Sequence, residues 1–182
     1  MHHFQRHQHE RDLVSVSREL IDDNIIQGFV LASSETLVVL QYVYDFQFDG
    51  LMVLRTADIT GVESTKTDRF QRELLEREGL LARVPFGMAF DLRDWRSVIT
   101  QLAAEHDFMI LECETSEEPD FLIGRALETD DEAVYFAYFS GIGVWAAAPD
   151  EVQFDDLTSC QVDTSYLNFY RRHFARQDSD TH

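Results

Sequence analysis

The feature that most constrains the fold is that the chain is written twice. Residues 28–42, "GFVLASSETLVVLQY", align without a gap on residues 124–138, "GRALETDDEAVYFAY". Gly28, Leu31, Val38 and Tyr42 meet identical residues Gly124, Leu127, Val134 and Tyr138. Further on, Asp58-Ile59-Thr60 returns as Asp156-Leu157-Thr158, with two extra residues in the intervening hairpin of the second copy. A repeat of this length implies two structural units of one design. Insertion in a hairpin is the tolerated kind.

Each copy reads as five short strands. In the first they are "LVSVS" from Leu13, residues 25–32, 37–46 and 51–54, and a short piece near 59–62. β-Branched and aromatic residues fill these runs, and Asp22-Asp23, Ser33-Ser34-Glu35 and Asp49-Gly50 separate them as turn chemistry. The second copy opens on "FMILECE" from Phe108. Mid-strand Gly28 and Gly124 predict a bend or bulge that a side chain would obstruct. A small, strongly bent antiparallel sheet removes its edges by closing on itself, so each copy is expected to be a closed five-stranded barrel.

Helical patterns follow. Thr67 and Asp68 open "TKTDRFQRELLEREG", with Phe70 and Leu74 on one face and Gly79 as its stop. In "DTSYLNFYRRHFARQ" the spacing of Tyr166, Phe169, Tyr170, His173 and Phe174 predicts a buried stripe. Between the copies, Trp95, Val98, Ile99 and Leu102 form the apolar face of a connector helix placed between the barrels. The expected division is a disordered His-rich tail over 1–11, a barrel plus helix over 12–79, a connector over 80–107, a second barrel plus helix over 108–176 and a disordered end over 177–182.

The order of strand, acidic turn, bent Gly strand, long apolar strand, hairpin and "LRTADITGV" resembles the Sm-like small β-barrel, over residues 13–64 and again over 108–162. Arg55 and Ile59 take the places of that family's Arg and anchoring Ile. The pattern "DF-x-x-DG-x-x-VLR-x-x-DIT" is also similar to a group of uncharacterised bacterial proteins with a tandem layout. The resemblance implies two tandem five-stranded barrels in a mainly β (α+β) chain.

Charge limits the partners. With 15 basic and 34 acidic side chains the net charge is −19, which disfavours nucleic acid and, if the acidic loops gather, favours a basic protein partner. There is no run of 18 apolar residues and no leader pattern, so a cytoplasmic protein with no membrane span is expected. Cys113 and Cys160 read as core residues rather than a disulfide or a nucleophile with His173. "GIGVWA" fits a Gly-x-Gly-x-x-Ala fingerprint, but Pro149 follows too soon for the helix that a phosphate site needs, and a hairpin loop is expected. His2, His3, His7 and His9 offer imidazoles, yet fixing a mobile tail around a metal costs entropy. The acidic loops 114–120, 128–132 and 149–156 lack a calcium-loop pattern and read as solvated turns. No catalytic, cofactor or metal residues are therefore expected.

The reading is a protein-interaction or adaptor protein with an acidic surface. An RNA-binding protein of two fused barrels is the alternative, and a metal-dependent enzyme working through Asp130 or Asp131 ranks below both. The candidate interaction surface comprises Asp45, Asp49, Arg55, Asp130, Asp131, Ile142 and Trp145. The difference between the two hairpins is where specificity is expected.

Overall fold

The computed structural model describes residues 2–117 and 119–180. The chain divides into two compact units, Met1–Asp94 and Trp95–His182. The first contains α1 (His2–Glu10), β1 (Leu13–Ser17), β2 (Ile25–Ser33), β3 (Leu37–Tyr44), β4 (Gln47–Arg55), β5 (Gly61–Glu63) and α2 (Lys66–Arg77). The second contains α3 (Trp95–Glu105), β6 (Met109–Cys113), β7 (Asp120–Thr129), β8 (Ala133–Tyr138), β9 (Asp150–Gln153), β10 (Ser159–Val162) and α4 (Ser165–Asp180).

The strand order within the first unit is β5-β1-β2-β3-β4, and within the second β10-β6-β7-β8-β9. All these pairings are antiparallel. The expected closed barrels are not formed. In each unit the first and last strands of the order do not pair with each other among the described residues, so each sheet is open. The closing strands are too short to complete a barrel: β5 has three residues, all paired to β1, and β10 has four, all paired to β6.

The repeat itself is exact in register. Gly28 faces Tyr42 and Gly124 faces Tyr138. A Cβ on Gly28 would lie 2.7 Å from the Gln41 carbonyl oxygen, and one on Gly124 only 1.9 Å from that of Ala137. Both ladders then slip by one residue, at Leu31 and at Leu127, which curves both sheets in the same place. Inside the first sheet, Val14, Val16, Ile26, Val30, Val38, Leu40, Met52 and Leu54 make one cluster. They alternate along their strands as the two-residue period requires.

The Asp-x-Thr echo also has a physical cause. The Thr60 N–H donates to the Ser17 carbonyl at 2.9 Å, and the Thr158 N–H donates to that of Glu112 at the same distance. The Thr60 hydroxyl donates to Ser17 O and accepts from the Glu19 N–H. The Thr158 hydroxyl faces Glu112 O at 3.0 Å and the Glu114 carboxylate at 2.7 Å, and accepts from the Glu114 N–H. Each threonine fastens the closing strand to the end of the opening one.

Several local expectations change. Residues 2–10 are a helix, not a disordered tail: α1 buries Phe4 and His7, and the Gln8 amide donates to Leu31 O at 2.7 Å. The cap of α2 is Thr65, in a capping box with Asp68, and the buried positions are Asp68 and Leu75 while Phe70 is exposed. The Asp49-Gly50 pair is not the turn. Asp45 and Phe46, both with positive φ, turn between β3 and β4, and Gly50 spends its φ of 79° at a bulge opposite Gln41, whose amide donates to the Gly50 carbonyl. Helix α3 buries Trp95, Val98, Ile99 and Leu102 as the pattern required, and belongs to the second unit. The expected disordered end over 177–182 is helical to Asp180; residues 181 and 182, like Met1 and Glu118, lie outside the described residues. No helix among the described residues is long and apolar enough to cross a membrane.

Candidate functional site

The second unit carries the surface that departs most from its counterpart. After β8 the chain makes a tight turn instead of a long ladder. Phe139 bridges to Trp145, the Ser140 N–H donates to Val144 O at 2.9 Å, and the Gly143 N–H donates to Ser140 O at 2.8 Å. Gly143 is required twice over: its φ is +73°, and a Cβ there would sit 3.0 Å from His173 Nε2 of α4. The Tyr170 hydroxyl donates to the Gly141 carbonyl at 2.9 Å. The turn is thereby held against the helix.

Aromatic packing fixes the base of this hairpin. Phe139 lies 5.0 Å from Trp145, 5.0 Å from Phe174 and 4.9 Å from Tyr170 between ring centroids, and Phe108 joins the cluster. Such pairs contribute about 0.5–1.5 kcal/mol each beyond their buried area. On α4, Leu167 is buried and Tyr170 and Phe174 pack against the same cluster, one per turn. The expected five-residue stripe is thus narrower, because Tyr166, Phe169 and His173 are exposed.

What projects outward is apolar and basic. Ile142 is 84% exposed at the hairpin tip and Phe169 is 69% exposed on α4, with Val144 and Tyr166 also in solvent. The Arg172 guanidinium lies 4.5 Å over the Phe169 ring, and Arg125 lies 4.7 Å over Trp145. Arg125, Arg171, Arg172 and Arg176 form no ion pair with a described side chain, whereas Arg96, the remaining arginine of the unit, is paired with Asp131. A hydrogen bond between the Tyr166 and Tyr170 hydroxyls pushes the Tyr166 phenol up. Two guanidiniums held over aromatic rings, with Arg171 and Arg176 further along α4, set this unit apart in a chain of net charge −19.

Of the residues singled out in the sequence, Ile142 and Trp145 meet here, one as projection and the other as anchor. The others are elsewhere. Asp45 sits in the β3–β4 turn, and Asp49 in β4 adds to the upward shift that burial gives the Tyr42 phenol. Arg55 bonds to Asp58 at 2.8 and 3.0 Å, a pairing that the second copy lacks, since Gln153 stands in the place of Arg55. Asp130 shapes the β7–β8 turn: the N–H groups of Glu132 and Ala133 hold its carboxyl below the usual carboxylate range. Asp131 pairs with Arg96. The spacing expected to bury Phe169 instead leaves it exposed, in line with Tyr166, Arg172 and Arg176 along α4, and Arg125 is exposed on β7.

Other candidates resolve into structure. The acidic loops contribute Glu117, Asp120, Asp150, Glu151 and Asp156 to an open cavity of about 430 Å³ beside Cys113; among the described residues these carboxylates do not converge as metal ligands would. Glu118 of the same loop lies outside the described residues. Cys113 and Cys160 are buried and form no disulfide. Burial, with Glu112 nearby, pushes the Cys160 thiol up to about 12, the reverse of what a nucleophile needs. No family model, curated protein or solved structure matches the chain.

Proposed function

We propose that the chain is a cytoplasmic protein-interaction protein without catalytic activity, and that its contact surface is the 140–145 hairpin tip together with the outer face of α4. The observation that carries this reading is the combination of Ile142 and Phe169 in solvent with a tightly held base beneath them. Rigid apolar and aromatic anchors lose little entropy on binding, and Arg is enriched beside them at interfaces. The partner this surface suits is an apolar pocket rimmed by acidic groups. It differs from the basic partner expected from overall composition, because local charge at the contact governs docking once salt screens the remainder.

The test is capture by immobilised full chain from a native lysate of the source cells, with wild type beside Ile142→Asp and Phe169→Ala. A specific protein retained by wild type, lost with both variants, and lost without a change in their melting temperature supports the reading. Equal capture by Ile142→Asp, or no specific protein with wild type, refutes it. The RNA-binding alternative is favoured by one observation, the guanidiniums stacked on Phe169 and Trp145, since stacked aromatics beside arginines suit single strands. Binding of single-stranded RNA pools with a log–log salt slope near −0.7 per neutralised phosphate, abolished by Arg172→Ala, would establish it. The aliphatic tip, Ile142 and Val144, offers a base no stacking face and places the protein reading first.

A further inference from the structure

The amino-terminal helix gathers metal-ligating groups that the hairpin surface does not involve. A ring nitrogen of His7 and carboxylate oxygens of Glu10 and Asp12 all lie within 4.8 Å of one another. The entropic argument against a metal in a mobile tail does not apply to them. Helix α1 packs on β2, His7 is only 1% exposed, and Asp12 is the residue before β1.

The hydrogen bonds around His7 fix the orientation of its ring. Arg6 Nη2 lies 3.1 Å from Nε2, and an arginine can only donate, so Nε2 accepts and the ring proton is on Nδ1. Nδ1 then donates to Asp12 Oδ2 at 2.8 Å. Arg6 Nε also lies 3.9 Å from Glu10 Oε2. One mobile guanidinium, on a side chain 58% exposed, thus stands beside both the imidazole and the outer carboxylate. Two carboxylates and one guanidinium leave an excess negative charge on a rigid nitrogen-and-oxygen donor set.

We propose that His7, Glu10 and Asp12 form a binding site for a divalent transition metal of the zinc, nickel or cobalt class, with Arg6 as the cation that occupies its neighbourhood when the metal is absent. The class follows from the donors: one imidazole and two carboxylates suit borderline divalent ions and match three-ligand sites that keep an open position. Bonds of about 2.0–2.2 Å to such an ion require the donors to close in by roughly an ångström. The solvent-exposed Glu10 has the freedom for most of that movement. His3, one turn before His7 on α1, stands on the same strip of the helix and is placed to approach as a fourth ligand.

Arg6 makes the proposal specific. If the metal takes Nε2, it needs the lone pair that Arg6 now uses. If it takes Nδ1, the ring's single proton moves to Nε2, which can no longer accept from Arg6. Either way the guanidinium must leave, so removing it favours the metal. A purely structural His7–Asp12 pair predicts no such effect.

The experiment is calorimetric titration of the full chain, without any affinity tag, with zinc and with cobalt(II), the latter also followed by its visible absorption. Expected are one-to-one binding, a loss of at least roughly tenfold in affinity for Glu10→Gln and for Asp12→Asn, and tighter binding for Arg6→Gln. His7→Gln is expected to abolish binding, but the exposed Glu10 variant keeps the test valid should loss of His7 unfold the unit. No binding by wild type overturns the proposal. So does binding that survives Glu10→Gln and Asp12→Asn but disappears in a chain with His2, His3 and His9 replaced by Gln, which would be adventitious chelation by the other histidines.

Discussion

At the scale of single residues, the repeat preserves jobs that only certain side chains can do. Thr60 and Thr158 make the same backbone bond to the opening strand and differ in burial: Thr158 is fully buried and Thr60 is exposed. Replacing each by valine keeps the shape and removes the hydroxyl. For Thr158 this removes a fully buried hydroxyl bonded to Glu112 and Glu114, at a cost of about 1–3 kcal/mol, whereas water replaces the hydroxyl of Thr60 and the cost stays below about 1 kcal/mol. Urea denaturation of the two variants should show that order; equal losses would mean that burial does not set the strength of the staple. Cys160 supplies a pH test. Its thiol is about 12 when folded and near 9.0 when free. The folded form therefore holds its proton where the unfolded form releases it, and stability is unaffected by this group below pH 9 and falls as pH rises from about 9 towards 12. Cys160→Ser should flatten that alkaline decline, and wild-type Cys160 should resist alkylation at pH 8 until denaturant is added.

At the scale of elements, the hairpins decide what the two copies do differently. Their strands were legible because β-branched alternation and mid-strand glycines report directly on pleat and bulge, and Gly28 and Gly124 proved to be the positions where a side chain meets backbone. Barrel closure was not legible. It depends on whether the two ends of each sheet, β5 and β4 in the first unit and β10 and β9 in the second, pair with each other, a non-local matter on which local pattern is silent. The turn was misread for a related reason: Asp49-Gly50 carries the strongest local turn signal, yet its positive φ serves a bulge while Asp45 and Phe46 make the turn. Ile142 and Trp145 of the proposed surface are residues that the hairpin contrast singles out. The α4 half was hidden because five aromatic or histidine positions exceed what one helix face can bury. If α4 positions the tip, Tyr170→Phe removes the bond to Gly141, together with the longer one to the Tyr166 hydroxyl, and leaves every projecting residue in place. The expected result is a stability loss of about 0.5–1.5 kcal/mol and faster hydrogen exchange at Gly143 and Val144, with weaker capture of any partner that Ile142→Asp also loses. Unchanged exchange would show that aromatic packing alone fixes the tip.

At the scale of the whole molecule, a net charge of −19 sets the background against which the arginines along α4 must be explained. One explanation is structural, with the arginines supporting the fold through contacts at short range; the other is that they are held for a partner. Salt separates the two. At about 0.01 M salt the screening length is about 30 Å, and at 1 M about 3 Å. Long-range self-repulsion should therefore lower the melting temperature of the wild type at low salt and relax as salt is added. Replacing Arg171 and Arg176 together by Glu moves the net charge further negative by two per position, breaks no ion pair with a described side chain and leaves Arg172 in contact with Phe169. The double variant is expected to melt below wild type at about 0.01 M and together with it at about 1 M, because the charge reversal adds a screened, long-range repulsion. If the arginines were structural, the deficit would persist at high salt, where contact-distance interactions survive screening. Coincident melting at high salt would leave recognition as the reason for placing these arginines along α4 of a strongly acidic chain.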